Sequence, residues 1–121
     1  MPGGTRLSHL FVLVSDLERA RRFYVDGLGL DLLMDTPGYI QVGGGGGFHL
    51  GIEAGRPENV SAPGIEIVIQ VDDVDRRHQE LVASGVRFSG PPEDQEWGAR
   101  HAWLTDPDGY RLSIYPAPAV P

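Results

Sequence analysis

Residues 9–25, HLFVLVSDLERARRFYV, lie over residues 66–82, EIVIQVDDVDRRHQELV, at a constant offset of 57. Val14 falls on Val71, Asp16 on Asp73, Arg19 on Arg76 and Val25 on Val82. A repeat of this length means that one supersecondary unit is built twice. Each copy opens as a short apolar strand and runs into a helix with polar residues at its start. Ser15 and Glu18 have the spacing of a capping box, and Asp72 and Asp75 repeat the acidic helix start. Leu17, Ala20, Tyr24 and Leu28 make one stripe on the first helix, and Val74, His78, Leu81, Val82 and Gly85 make one on the second. Gly27 and Gly85 are the expected C-caps.

Three shorter strands are expected after each helix. They are LDLLM, YIQV and FHLGIE in the first half, then VRFS, RHAWLT and YRLSIY in the second. TPG, the run Gly43 to Gly47, GPPED and DPDG supply the turns between them. The glycine run joins two strands and opens no helix, so it is a hairpin loop and not a phosphate cradle. The expected architecture is α+β: two tandem βαβββ modules in one domain of 121 residues. Module one covers about 6–54, a linker about 55–63, module two about 64–116, and a Pro-rich tail 117–121.

Charge and composition exclude several chemistries. The chain has no cysteine, and all ten of its basic residues are arginine, so thiol and side-chain Schiff-base mechanisms are absent. A net charge of −7 argues against nucleic acid as a partner and mildly favours cationic or neutral ligands. Apolar runs such as LFVLV are too short to span a bilayer, and MPGGTRLS lacks a secretory h-region, so a cytoplasmic location and no membrane partner are expected.

Glu66 stands near the start of the second repeat's strand, among Ile65, Ile67, Val68, Ile69 and Val71. A carboxylate there needs water, a hydrogen-bond partner, a cation or a metal. Strand alternation puts Ile65, Ile67, Ile69 and Val71 on the helix side and Glu66, Val68 and Gln70 on the other; Leu10, Val12 and Val14 are opposed in the same way to His9, Phe11 and Leu13. The repeat sets His9 in register with Glu66, and His49 and Ser113 are read as equivalent positions of the two last strands. His9, His49 and Glu66 would suffice for a divalent ion such as Fe, Mn, Ni, Zn or Co, while hydrogen-bonded structural side chains are the alternative.

The stretches SHLFVLVSDLERARRFYVDGLGL and EWGARHAWLTDPDGYRLSIYP resemble the vicinal oxygen chelate superfamily, which includes glyoxalases, bleomycin-resistance proteins and extradiol dioxygenases. The resemblance covers roughly residues 6 to 116 and implies paired βαβββ modules whose sheets curl round a cavity. It implies metal ligands on the first and last strand of each module, at His9, His49, Glu66 and Ser113. Ser113 stands where glyoxalase I enzymes carry Glu, so that particular activity is not implied. It also implies a homodimer with sites between modules.

Two functions follow. One is a metal-dependent lyase or dioxygenase acting on a small oxygen-chelating substrate, with His9, His49 and Glu66 on the metal and Glu66 as catalytic group. The other is a metal-free protein that sequesters a drug-like planar molecule. Phe11, Trp97, His101, Trp103, Ser113 and Tyr115 are the expected substrate-binding residues in either case. His78 reads as a packed helix histidine, Arg19 to Arg22 as a solvated face, and Asp106 and Asp108 as turn residues with Gly109 supplying positive φ.

Overall fold

The computed structural model describes residues 7–44, 46–57, 65–96 and 99–116. Trp97, most of the expected linker, Gly45 and the Pro-rich end lie outside these. The chain divides into two compact units, Met1–Glu58 and Asn59–Pro121.

In the first unit β1 (His9–Val14) leads into α1 (Leu17–Arg21), which continues as a π-helical turn over Arg22–Gly27. β2 (Asp31–Asp35), β3 (Tyr39–Gly43) and β4 (His49–Ala54) follow. The sheet order is β1-β4-β3-β2, with β1 parallel to β4 and the other pairs antiparallel. The second unit repeats the plan with β5 (Ile67–Val71), α2 (Val74–Ala83), β6 (Glu93–Asp94), β7 (Arg100–Thr105) and β8 (Arg111–Pro116), in the order β5-β8-β7-β6. These two βαβββ units are the α+β architecture that the repeat implied.

Helix caps locate the repeat more sharply than the sequence did. Asp16 and Asp73, not Ser15 and Asp72, are the N-caps, with φ of −142° and −144° and side chains that accept from the N–H of Arg19 and Arg76. A carboxylate at Ncap reaches the N3 amide directly, whereas Ser15 instead accepts from the Arg19 guanidinium at 2.9 Å. At the other end Gly85 has φ +98° and closes α2 with a Schellman pair: Val86 N–H to Leu81 O and Gly85 N–H to Val82 O, both 3.0 Å. In the first unit Gly29, at φ +81°, takes that role in place of Gly27. One more residue separates Asp16 from Gly29 than Asp73 from Gly85, and the extra one is absorbed in the π turn, where Leu28 N–H reaches Phe23 O at 2.9 Å.

Alternation sorts the faces as expected in the first unit. Val12, Val14, Ile40, Val42 and Ile52 are buried, as is the helix stripe of Leu17, Ala20, Tyr24 and Leu28. Each such aliphatic side chain stabilises the unit by about 1.5–3 kcal/mol. In the second unit Leu104, Leu112 and Ile114 are buried with Val74 and Leu81. Ile65 is 71% exposed, because it precedes the strand and has no sheet neighbour to pack on.

The expected VRFS strand forms only a bridge, Phe88 to Leu104, flanked by backbone bonds from Ser89 N–H to Trp103 O and Thr105 N–H to Arg87 O. Pro91 and Pro92 lack N–H donors and end the pairing. The sheet edge resumes at β6, where Arg100 binds Asp94 on β6 and forks onto Asp75 of α2 at 3.0–3.1 Å. No helix among the described residues is long and apolar enough to cross a membrane.

Candidate functional site

Each sheet has a face turned away from its helix, and the chemically active side chains stand there. On the first unit β1 and β4 pair His9 with His49, Phe11 with Gly51 and Leu13 with Glu53. The two imidazoles stack with centroids 4.9 Å apart and planes 4° from parallel. Ser8 Oγ meets His9 Nδ1 at 2.9 Å, and His49 Nδ1 lies 3.4 Å from the carbonyl oxygen of Gly47. His49 Nε2 is buried without a hydrogen-bond partner among the described residues.

On the second unit Glu66 Oε1 accepts from the Trp103 indole Nε1 at 2.9 Å and forms an ion pair with Arg111, whose Nε lies 3.0 Å away. The Arg111 guanidinium also lies 6.0 Å from the centre of the Trp103 ring. Arg111 is 61% exposed in its side chain, so its ion pair is worth about 0–1 kcal/mol, whereas the charge-assisted indole bond is worth about 1.5–3 kcal/mol. Trp103 is therefore the partner that answers the demand of Glu66. The sequence left that partner unidentified and offered a metal, because the indole lies 37 residues away and reaches Glu66 only through sheet packing.

His101 stacks on Trp103 at 5.3 Å and on Tyr115 at 5.6 Å, with interplanar angles of 21° and 15°. β7 and β8 create this ladder by register, since Trp103 pairs with Ser113 and the neighbouring inward positions are His101 and Tyr115. Gln70 Nε2 donates to the Tyr115 hydroxyl at 3.3 Å and fixes its outer end. A cavity of about 490 Å³ opens beside Trp103 and Arg111.

Strand register corrects one equivalence. Leu10 pairs with Leu50 as Ile67 pairs with Leu112, so the counterpart of His49 is Arg111; Phe11 pairs with Gly51 as Val68 pairs with Ser113, so the counterpart of Ser113 is Gly51. The stretch between the helix and the third strand is longer in the second module, so the constant offset lapses there, before β3 and β7. Gly51 also has a reason of its own. A Cβ on it would stand 2.5 Å from the Tyr39 hydroxyl, which accepts from Gln41 Nε2 at 2.9 Å.

The two imidazoles of the expected metal set do not converge on one ion as they stand. Imidazole lone pairs lie in the ring plane, and two rings 4° from parallel at 4.9 Å direct them along separate planes instead of onto one ion at about 2.0–2.1 Å. Glu66 is already engaged by an indole and a guanidinium, and Gly51 and Ser113 carry no strong donor. Among the described residues no group of three or more His, Cys, Asp or Glu side chains is placed to hold a metal.

Ser113 is fully buried and its Oγ has no hydrogen-bond partner among the described residues. A hydroxyl that forms no bond carries its desolvation cost without compensation. Ser113→Ala is accordingly expected to leave stability unchanged or raise it by up to about 1 kcal/mol in urea unfolding. A loss above about 1.5 kcal/mol would show that Oγ has a bound partner.

Of the other expected binding residues, His101, Trp103, Ser113 and Tyr115 share one face, Phe11 lies half exposed on the first unit, and Trp97 is outside the described residues. Arg111, Tyr39 and Gln70 were missed. Arg111 carried a signal, since it alternates in phase with Ser113 and Tyr115 in YRLSIY.

Comparison with known proteins agrees with this fold. The profile of the Glyoxalase/Bleomycin resistance protein/Dioxygenase superfamily matches residues 6–114. The metallothiol transferase FosB of Lysinibacillus sphaericus (strain C3-41) is 29% identical over 114 residues, covering 90% of this chain and 80% of FosB. Catechol-2,3-dioxygenase of Bacillus subtilis (strain 168) is 36% identical over 101 residues, covering 74% of this chain and 34% of the dioxygenase. Among solved structures, TnmS3, an antibiotic binding protein from Streptomyces sp. CB03234, matches with a TM-score of 0.78 and 30% identity, covering 98% of this chain and 100% of TnmS3.

Proposed function

The chain belongs to the glyoxalase/bleomycin resistance protein/dioxygenase superfamily, and from that premise we propose that it binds and sequesters a planar small molecule on the open face of its second unit. The observation that carries this reading is the engagement of Glu66 by Trp103 and Arg111 beside the stacked His101, Trp103 and Tyr115. A carboxylate so engaged serves to hold an aromatic platform in place, and its Trp103 borders a cavity of about 490 Å³, within the usual size of small-molecule sites. Likeness to an antibiotic binding protein over nearly the whole chain supports the same class of ligand.

A metal-dependent enzyme is the second reading. It is favoured by the Nε2 of His49, buried beside His9 without a hydrogen-bond partner among the described residues, and by the likeness to FosB and catechol-2,3-dioxygenase. A homodimer in the cytoplasm belongs to the proposal under either reading, supported for the dimer by the exposed Phe11, Leu33, Met34 and Val68.

One pair of measurements separates the readings. Elemental analysis of untagged protein is expected to find well below one Fe, Mn, Ni, Zn or Co per chain, while planar aromatic compounds quench Trp103 fluorescence saturably in a Trp97→Phe background. About one metal per chain, lost in both His9→Ala and Glu66→Ala, would establish the enzyme reading instead.

A further inference from the structure

Among the described residues the cavity of the second unit is lined by two arginines, Arg87 and Arg111, and by no carboxylate. That is a local inversion of sign in a chain whose net charge is −7. The acidic balance drew the expectation toward cationic or neutral ligands, but a ligand feels the charges that line its site before it feels the sum over the molecule.

Arg87 is placed by its backbone, since its carbonyl oxygen accepts the Thr105 N–H at 3.2 Å and so runs the segment beside β7. Its guanidinium enters no ion pair among the described residues. Arg111 meets Glu66 through Nε, which leaves the two terminal NH₂ groups of its fork as donors. Trp103 and Phe88 supply aromatic wall, and Phe88 is braced edge-to-face against His78 at 4.6 Å. The cavity thus combines flat apolar surface with the guanidinium of Arg87 and the terminal NH₂ groups of Arg111, and a planar guanidinium fork matches a carboxylate in two hydrogen bonds.

We infer that the cavity takes a planar aromatic carboxylate, with the ring against Trp103 and the carboxylate on Arg87, assisted by Arg111. The inference rests on the binding reading above and names its ligand class. A cationic ligand of the same shape is disfavoured here, because it would be desolvated beside Arg87 and Arg111, with Glu66 already engaged by Arg111 and no carboxylate among the described residues of the lining.

The test is calorimetric titration of the full chain with 2-naphthoate, its neutral isostere 2-naphthamide and the cation 2-naphthylmethylammonium. Naphthoate is expected to bind on the order of tenfold tighter than the amide, with the cation weakest. Arg87 is exposed, so Arg87→Gln leaves the fold intact; it is expected to bring naphthoate within about threefold of the amide and to leave the amide unchanged. Arg56→Gln, an exposed arginine outside the cavity, is expected to keep the preference. Equal binding of acid and amide, tightest binding of the cation, or a preference that survives Arg87→Gln overturns the inference. If none of the three binds while other planar compounds still quench Trp103, the anion preference fails and the binding reading stands. If nothing quenches Trp103, both fail.

Discussion

Trp103→Ala is expected to weaken binding of a planar ligand by on the order of 30-fold or more and to lower stability by about 2–3 kcal/mol. Three contacts go at once: the stacking partner of His101, the indole donor to Glu66 and the ring beneath the Arg111 guanidinium. The stability loss stays below the range for a fully buried tryptophan, because Trp103 is only partly buried. Glu66 then keeps a single exposed partner, Arg111, of the kind that contributes little. Trp103→Phe separates the two roles. It retains a ring for stacking and loses the N–H, so binding is expected to fall by only a few-fold while most of the lost hydrogen-bond energy, about 1.5–3 kcal/mol, appears in urea unfolding. Binding by Trp103→Ala within about threefold of the parent would place the site elsewhere, and the aromatic ladder would then be core packing.

The second large effect is expected at the turn that carries Gly109 to the cavity rim. Asp106 is buried, and its Oδ1 accepts from the backbone N–H groups of Asp108 and Tyr110 at 2.9 and 2.8 Å. Gly109, at φ +98°, then donates back to the Asp106 carbonyl oxygen at 3.0 Å. Removing the carboxylate leaves two part-buried N–H groups without their acceptor, each costing about 1–3 kcal/mol. Asp106→Ala is therefore expected to lose about 2–4 kcal/mol and to lower Tm by on the order of 10 °C. Asp106→Asn keeps an oxygen in the same place and is expected to lose less than half as much. Calorimetry of the two variants checks this, and equal losses would show that charge, not the turn geometry, is what Asp106 provides.

Several features were legible in the residues alone because they are local. Alternation in FVLV and IVIQV determined which side chains back onto a helix, since a strand has a period of two whatever surrounds it. The helix stripe from Leu17 to Leu28 was equally readable, and so was the DPDG turn, whose Asp and Gly have fixed conformational uses. Even the N-caps lay within the repeat, because Asp16 and Asp73 are aligned at the offset of 57 and the choice was between neighbouring residues.

What the sequence by itself determined is the doubled βαβββ plan and the face on which each strand residue stands. Tertiary structure decided which of those residues meet. Glu66 finds Trp103 across 37 residues and Arg111 across an intervening helix and three strands, and no periodicity within a strand reports on a partner in another. The mates of His49 and Ser113 turned on the same point. Backbone hydrogen bonds set the register of β1 with β4 and of β5 with β8, and loops of unequal length hide that register from any constant offset. Periodicity is a property of one strand, whereas a site is a property of several, and only their pairing brings Glu66, Trp103 and Arg111 together.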